Sequence, residues 1–158
     1  MWVDGITMTA MPTIALATAV AACQQDEDLA PLADACRQAG IEPAILAWDD
    51  ATVSWPRFDA IVLRSTWNYT QRLPVFLTWS ERADVRDRLI NPANVVRWNT
   101  DKRYLGELAS AGAPVIASHY LAPGDRIELP AYEEFVIKPC VGAGSRGARR
   151  FQAHEHDA

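Results

Sequence analysis

Phe135-Val136-Ile137-Lys138-Pro139-Cys140-Val141-Gly142-Ala143-Gly144-Ser145-Arg146-Gly147 carries the reading of this chain. A β-rich run delivers a lysine, and a loop of small residues follows almost at once. Backbone N–H groups and one ammonium can therefore converge on the same anion. Gly142, Gly144 and Gly147 satisfy the pattern G-x-G-x-x-G, but a dinucleotide fingerprint needs a helix to begin there and aim its N-terminus at a pyrophosphate. Ala148-Arg149-Arg150-Phe151 follows instead, with little chain left for such a helix. The stretch reads as strand, glycine loop, strand, its glycines supplying positive φ or close backbone approach to a phosphate. Lys138, Gly142, Ala143, Gly144, Ser145 and Arg146 are its candidate nucleotide contacts. The competing reading is a plain glycine-rich hairpin.

Composition bounds the rest. The 158 residues suffice for one complete core and the opening of a second. Hydrophobic residues at 49% and charged ones at 22% are those of an ordinary globular protein, not a disordered one. Fifteen Lys and Arg against twenty Asp and Glu leave a formal charge of −5. A broad footprint for nucleic acid is therefore absent, and any anion must meet a local site. Cys23, Cys36 and Cys140 match no zinc spacing, and a chain of this size needs no disulfide, which points to a reducing cytoplasm. Val20-Ala21-Ala22-Cys23 resembles a lipoprotein processing site, but the segment before it carries Asp4 and no Lys or Arg, so an export signal is not expected. No run is long enough to span a membrane.

Upstream, the pattern is that of an α/β fold. Residues 1–12 show nothing that ties them to a core and are expected to be a disordered extension. Thr13 to Ala21 reads as a buried strand, Asp26-Glu27-Asp28 as the acidic start of a helix closed by Gly40, Ala44 to Trp48 as a second strand, and Asp59 to Arg64 as a third. This alternation argues for a parallel sheet of Rossmann-like type, whose ligands sit beyond the carboxyl ends of the strands. Arg64, Ser65, Thr66 and Trp67 lie there. Arg64 suits a carboxylate clamp, Ser65 and Thr66 supply hydrogen bonds, and Trp67 supplies a wall. The alternative is that Arg64 pairs with an acid of the sheet domain and the aromatics cap the core.

Pro74 to Leu89 reads as an amphipathic helix broken by Ile90-Asn91-Pro92, its charges Glu81, Arg82, Arg86, Asp87 and Arg88 forming a solvated face. Asn99-Thr100-Asp101 offers N-cap chemistry for a helix through Ala111. Strands are expected at Val115 to Ala117, Ile127 to Leu129 and Phe135 to Lys138, with the domain boundary at Ala111 to Pro114. The domains are thus 13–112 and 113–158. His154-Glu155-His156-Asp157 lacks a third ordered ligand and reads as a tail and not a metal site.

Trp98-Asn99-Thr100-Asp101-Lys102-Arg103-Tyr104-Leu105, the helix ending at Gly112, Ala113-Pro114-Val115, and the Val136-Ile137-Lys138-Pro139 strand with its glycine loop together resemble the ATP-grasp superfamily. Two lysine-bearing motifs occur in that superfamily's order and spacing. Val96 to Leu105, with Arg64 to Trp67, is similar to the group containing the O-ureido-serine cyclo-ligase of cycloserine biosynthesis. The resemblance implies a pre-ATP-grasp α/β domain followed by the start of a partial α+β small lobe. It implies that Lys102 and Lys138 are the two nucleotide-binding lysines, and that Gly142 to Gly147 closes over the β- and γ-phosphates of ATP. It further implies a carboxylate substrate activated as an acyl phosphate and captured by an amine. Mg²⁺ ligands in that superfamily come from a C-terminal lobe, and after Gly147 this sequence offers only Glu155 and Asp157 as acids. The expectation is therefore the ATP-binding front part of a ligase, inactive alone, its metal site supplied by a separate C-terminal lobe. A non-catalytic nucleotide-binding module and an NAD(P)-binding domain are the alternatives.

Overall fold

The structure, a computed structural model, describes residues 10–128 and 132–152. It contains two compact units, Met1–Ala93 and Asn94–Ala158. The division falls ahead of the expected Ala111 to Pro114.

In the first unit, β1 (Thr13–Thr18), β2 (Glu42–Ala47), β3 (Ala60–Leu63) and β4 (Leu89–Ile90) form a parallel sheet in the order β2-β1-β3-β4. β1 is the pivot. Thr13 to Thr18 pair with Glu42 to Ala47 on one side, and Ile14 to Ala17 pair with Ala60 to Leu63 on the other. A strand flanked on both sides and covered on both faces must be apolar throughout, which is why Ala15, Leu16 and Ala17 are at most 1% exposed. α1 (Leu29–Gln38) covers one face: Leu29 and Ala33 pack with Leu16, ringed by Ile14, Leu32 and Val62. Gly40, at φ 75°, ends the helix in a conformation that only glycine adopts without cost.

α2 (Leu73–Ala83) buries Phe76, Ser80 and Ala83. Its Phe76 sits inside an aromatic cluster, 5.0 Å edge-on to Trp48, 5.2 Å from Tyr69 and 5.4 Å from a stacked Trp79. Burial there pushes the Tyr69 phenol up. The helix stops at Ala83, well short of the expected Leu89. Arg86 and Asp87 take positive φ, 65° and 56°, which no helix accommodates. The Asp84 carboxylate accepts the N–H of Leu89 at 3.2 Å and of Ala93 at 2.6 Å. The chain is thereby turned back into β4, a strand that the sequence reading took for the end of a helix.

In the second unit the helix expected after Asn99-Thr100-Asp101 and running through Ala111 is shorter, and a helix that was not expected precedes it. α3 (Ala93–Asn99), whose first residue lies at the division, and α4 (Tyr104–Ser110) are separated by a turn at Asp101-Lys102-Arg103. Asp101 Oδ1 accepts the Arg103 N–H at 3.0 Å, and the Lys102 N–H goes to the Cys140 carbonyl at 2.9 Å instead of to a helical carbonyl. β5 (Glu134–Ile137) and β6 (Arg149–Gln152) form the expected antiparallel hairpin, with Phe135 stacked on Phe151 at 5.7 Å. Val115 to Ala117 and Ile127-Glu128 are not strands. β5 and β6 pair only with each other among the described residues, and Ile116 and Ile127 are 89% and 68% exposed. Leu129, residues 1–9 of the N-terminal extension and the His154–Asp157 tail lie outside the described residues. Pro12 already belongs to the fold, its carbonyl accepting the Glu42 N–H at 2.9 Å.

Asp59 fixes the start of the sheet, its Oδ2 accepting the Thr13 N–H at 2.7 Å and the Thr13 hydroxyl at 3.0 Å. These bonds, the backbone one foremost, hold its carboxyl below the usual carboxylate range. A lowered folded value means stabilisation that is present above the unfolded range and lost as pH falls through the folded one. Asp59→Asn is expected to melt below the parent at neutral pH, the difference shrinking as pH falls through and below the usual carboxylate range, as thermal melts across acid pH will show.

Candidate functional sites

The carboxyl ends of β1 and β3 flank the point where the chain, having run from β1 outward to β2, returns to the other side of β1. Ligand crevices of open α/β sheets lie at such points. Here the crevice is laced together from within. Arg64 Nη2 meets Asp28 Oδ2 at 2.5 Å and Asp26 Oδ1 at 3.3 Å, while its Nε lies 3.2 Å from Asp26 Oδ2, an ionic contact without hydrogen-bond alignment. The acids expected to cap α1 thus serve Arg64. The Ser65 hydroxyl, fully buried, is 2.8 Å from that of Thr18, and the Ser65 carbonyl accepts the Ala19 N–H at 3.1 Å. Thr66 is 6% exposed and Trp67 40%. Of the four residues expected at a substrate, Arg64 and Trp67 retain open surface, and Ser65 and Thr66 stand behind them. Asn68, absent from that expectation, donates to Asp49 Oδ2 and accepts from Trp48 Nε1, both at 2.7 Å, and so ties this loop to the end of β2.

Stability should separate the two acids. The Asp26 side chain is 4% exposed and that of Asp28 81%. Arg64→Ala strands a buried carboxylate and is expected to cost about 1–3 kcal/mol, whereas Asp28→Ala should stay within about 0.5 kcal/mol of the parent in denaturant titrations.

The second unit gathers the other predicted residues. Lys102, Lys138, Gly142, Ala143, Gly144, Ser145 and Arg146 all line one cavity of about 250 Å³, together with Pro139 and Ala148. The turn between α3 and α4 brings Lys102 there. Its Nζ donates to the Gly142 carbonyl at 2.7 Å and lies 3.4 Å from that of Cys140. Lys138 leaves β5 directly into the cavity and has no ion-pair partner among the described residues. Arg146 N–H bonds to the Ala143 carbonyl and Ala148 N–H to that of Ser145, so the loop is two successive tight turns. The N–H groups of Gly142, Ala143, Gly144 and Ser145 have no acceptor among the described residues. Uncommitted amides beside an ammonium are the elements of an anion-binding arrangement. The lining contains no carboxylate, and among the described residues no cluster of three His, Cys, Asp or Glu side chains exists to hold a metal. The loop leads into β6 and not into a helix, so the dinucleotide geometry that its glycines spell out is not formed.

Pro139 is a member of the site that the sequence reading passed over. A Cβ on Gly147 would lie 3.0 Å from the Pro139 ring, and Gly147 has φ 74°. Gly144, at φ 59°, faces open space. The signal was the proline directly after Lys138, with a glycine eight positions on. Gly144→Ala is expected to carry the left-handed penalty alone, about 1–2 kcal/mol. Gly147→Ala should add the clash, and amide exchange across β5 and β6 should be faster in Gly147→Ala.

The family model for the D-cycloserine synthetase DcsG N-terminal domain matches residues 14–91. The match covers the parallel-sheet unit almost exactly to the end of β4. Beyond it, the chain is 41% identical over 151 residues to the cycloserine biosynthesis protein DcsG of Streptomyces lavendulae, covering 90% of this chain and 50% of that protein. The crystal structure of D-cycloserine synthetase DcsG superposes with a TM-score of 0.78 at 40% identity, over 89% of this chain and 50% of that one. The likeness to DcsG therefore extends past the N-terminal domain into the lysine and glycine-loop unit. The chain spans about half the length of these relatives. Among the described residues no helix is long and apolar enough to cross a membrane.

Proposed function

We propose that this chain is the nucleotide-binding front portion of an ATP-dependent ligase of the ATP-grasp type, joining a carboxylate to an amine or closing a ring between them. The observation that carries the reading is the convergence of Lys102, Lys138 and the glycine loop on one cavity. Its roughly 250 Å³ falls below the 300–1,000 Å³ or so of pockets that enclose a whole small ligand, and suits the phosphate end of a nucleotide. On this reading Lys138 and the free amides of Gly142 to Ser145 receive phosphate oxygens. Lys102 works at one remove: its ammonium holds the Gly142 carbonyl, turning the loop's amides toward the cavity. Arg146 adds positive charge at the rim. The relatives' names point to cycloserine formation, and we extend to this chain only the ligase class that such a synthesis requires.

The carboxylate substrate belongs, in this proposal, beyond β3 at Arg64 and Trp67, with Ser65 and Thr66 fixing the loop from behind. When ATP is bound, the chemistry it supplies is transfer of its γ-phosphoryl group to that carboxylate, giving an acyl phosphate that an amine displaces. Charge neutralisation by Mg²⁺ is integral to such chemistry, and the donor set of this cavity does not fit the ion. We therefore assign the metal carboxylates to a C-terminal lobe, which would act as this chain's partner, and expect no phosphoryl transfer by these residues alone. Cys23, Cys36 and Cys140 are free thiols, in keeping with a cytoplasmic location.

Binding is tested without turnover. A non-hydrolysable ATP analogue is expected to shift the amide resonances of Gly142 to Gly147, and Lys138→Ala should weaken it tenfold or more, the loss of one charge-assisted hydrogen bond. An NADH response that survives Lys138→Ala would sink the ATP reading.

A further inference from the structure

A second cavity, of about 450 Å³, opens in the parallel-sheet unit, away from Arg64 and independent of the nucleotide reading. Its construction follows from the helical period. α2 turns Phe76, Ser80 and Ala83 inward. Val75, Thr78, Trp79 and Arg82, spaced i, i+3, i+4 and i+7, form an adjoining stripe that lines the cavity. Trp48 and Asp49 supply the opposite wall from the carboxyl end of β2, and Arg72 stands at the N-terminus of α2.

The charges of this lining are unequally committed. Asp49 is its only acid, and both its oxygens are taken: Oδ1 by the Val20 N–H at 3.0 Å and Oδ2 by Asn68 at 2.7 Å. Trp48 Nε1 is likewise taken, by Asn68. The two cations are not. Neither Arg72 nor Arg82 has a carboxylate partner among the described residues. Arg72 is nonetheless held, its guanidinium 5.8 Å from the centroid of the Trp48 ring. Trp79, which packs 5.9 Å from Trp48, keeps a buried Nε1 with no acceptor. Trp48 itself is 3% exposed, so the half-buried Trp79 ring, with Pro74 and Val75, supplies the apolar wall; beside two guanidiniums without carboxylate partners among the described residues and an acid whose oxygens are committed, it favours one ligand chemistry, a flat apolar body ending in an anion. The volume is that of a small-molecule site.

We infer that the groove between α2 and the end of β2 is a binding site for a planar carboxylate, with Arg72, seated over the buried Trp48, receiving the carboxylate and Trp79, Pro74 and Val75 receiving the ring. Arg82, ten residues along the same helix and so about 15 Å from Arg72 at the backbone, closes the far end.

The probe is 2-naphthoate, with uncharged 2-naphthylmethanol as control. The readouts are the indole N–H resonances of Trp48 and Trp79, with Trp98 of the other unit as an internal reference. Naphthoate is expected to shift Trp48 and Trp79 saturably and leave Trp98 in place, with naphthylmethanol at least tenfold weaker. Arg72→Ala should lose tenfold or more in affinity, Arg82→Ala less, and Arg72→Lys should fall between Arg72→Ala and the parent, because a lysine keeps the charge and loses the fork. Unchanged melting of the variants would show that the sheet unit is intact; if Arg72→Ala unfolds, Arg72→Lys carries the test. The inference is overturned if no saturable shift occurs with a dissociation constant near or below about 1 mM, if the alcohol binds as well as the acid, or if folded Arg72 variants bind naphthoate unchanged.

Discussion

Strand β1 is hydrogen-bonded along its length on both sides, and the larger unit follows from that constraint. Six residues, Thr13 to Thr18, meet β2, and the middle of the same strand meets β3. A strand so placed exposes no edge and offers both faces for cover. α1 supplies Leu29 and Ala33 to one face. The carboxyl ends of β1, β2 and β3 are thereby brought together, and their connecting segments join: Thr18 to Ser65, Val20 to Asp49, and Asn68 to both Trp48 and Asp49. The polar crevice of this unit is therefore a hydrogen-bonded network with Arg64 at its rim.

The second unit depends on a smaller event, the withdrawal of the Lys102 N–H from helical bonding. Its bond to the Cys140 carbonyl and that of its ammonium to the Gly142 carbonyl attach the α3–α4 turn to the glycine loop twice. A continuous helix through these residues would have kept that N–H for itself and carried the ammonium elsewhere. The break between helices is thus the feature that assembles the anion cavity. It costs a turn's worth of helical hydrogen bonds, and Asp101 offsets part of this by accepting the Arg103 N–H.

Particular residues show where the sequence was legible. The hairpin around Gly142 to Gly147 was, because a glycine loop between two short β-rich runs has few alternatives, and its six expected contacts, with Lys102, do line one cavity. Strands β1 to β3 were legible because doubly covered strands must be apolar. β4 was not: two residues, Leu89 and Ile90, give no periodic signal, and charged Arg86, Asp87 and Arg88 continued a plausible helical face. What ended that helix was the left-handed turn at Arg86 and Asp87, which nothing in those residue types announces. The strands expected at Val115 and Ile127 failed for the complementary reason. Propensity proposes a strand, but only a neighbour with free N–H and C=O groups makes one.

By itself the sequence determined the α/β class, the run of parallel strands and the chemistry available at the loop, because burial on both faces, helical period and glycine's conformational range are written in local residue types. The tertiary structure alone decided partners. Arg64 could equally have faced a ligand or Asp26; the folded chain sets it against Asp26 and Asp28, and leaves Arg72 and Arg82 without carboxylate partners among the described residues. Ion pairing depends on distances of a few ångströms between residues far apart in sequence, and those distances exist only once the sheet has formed.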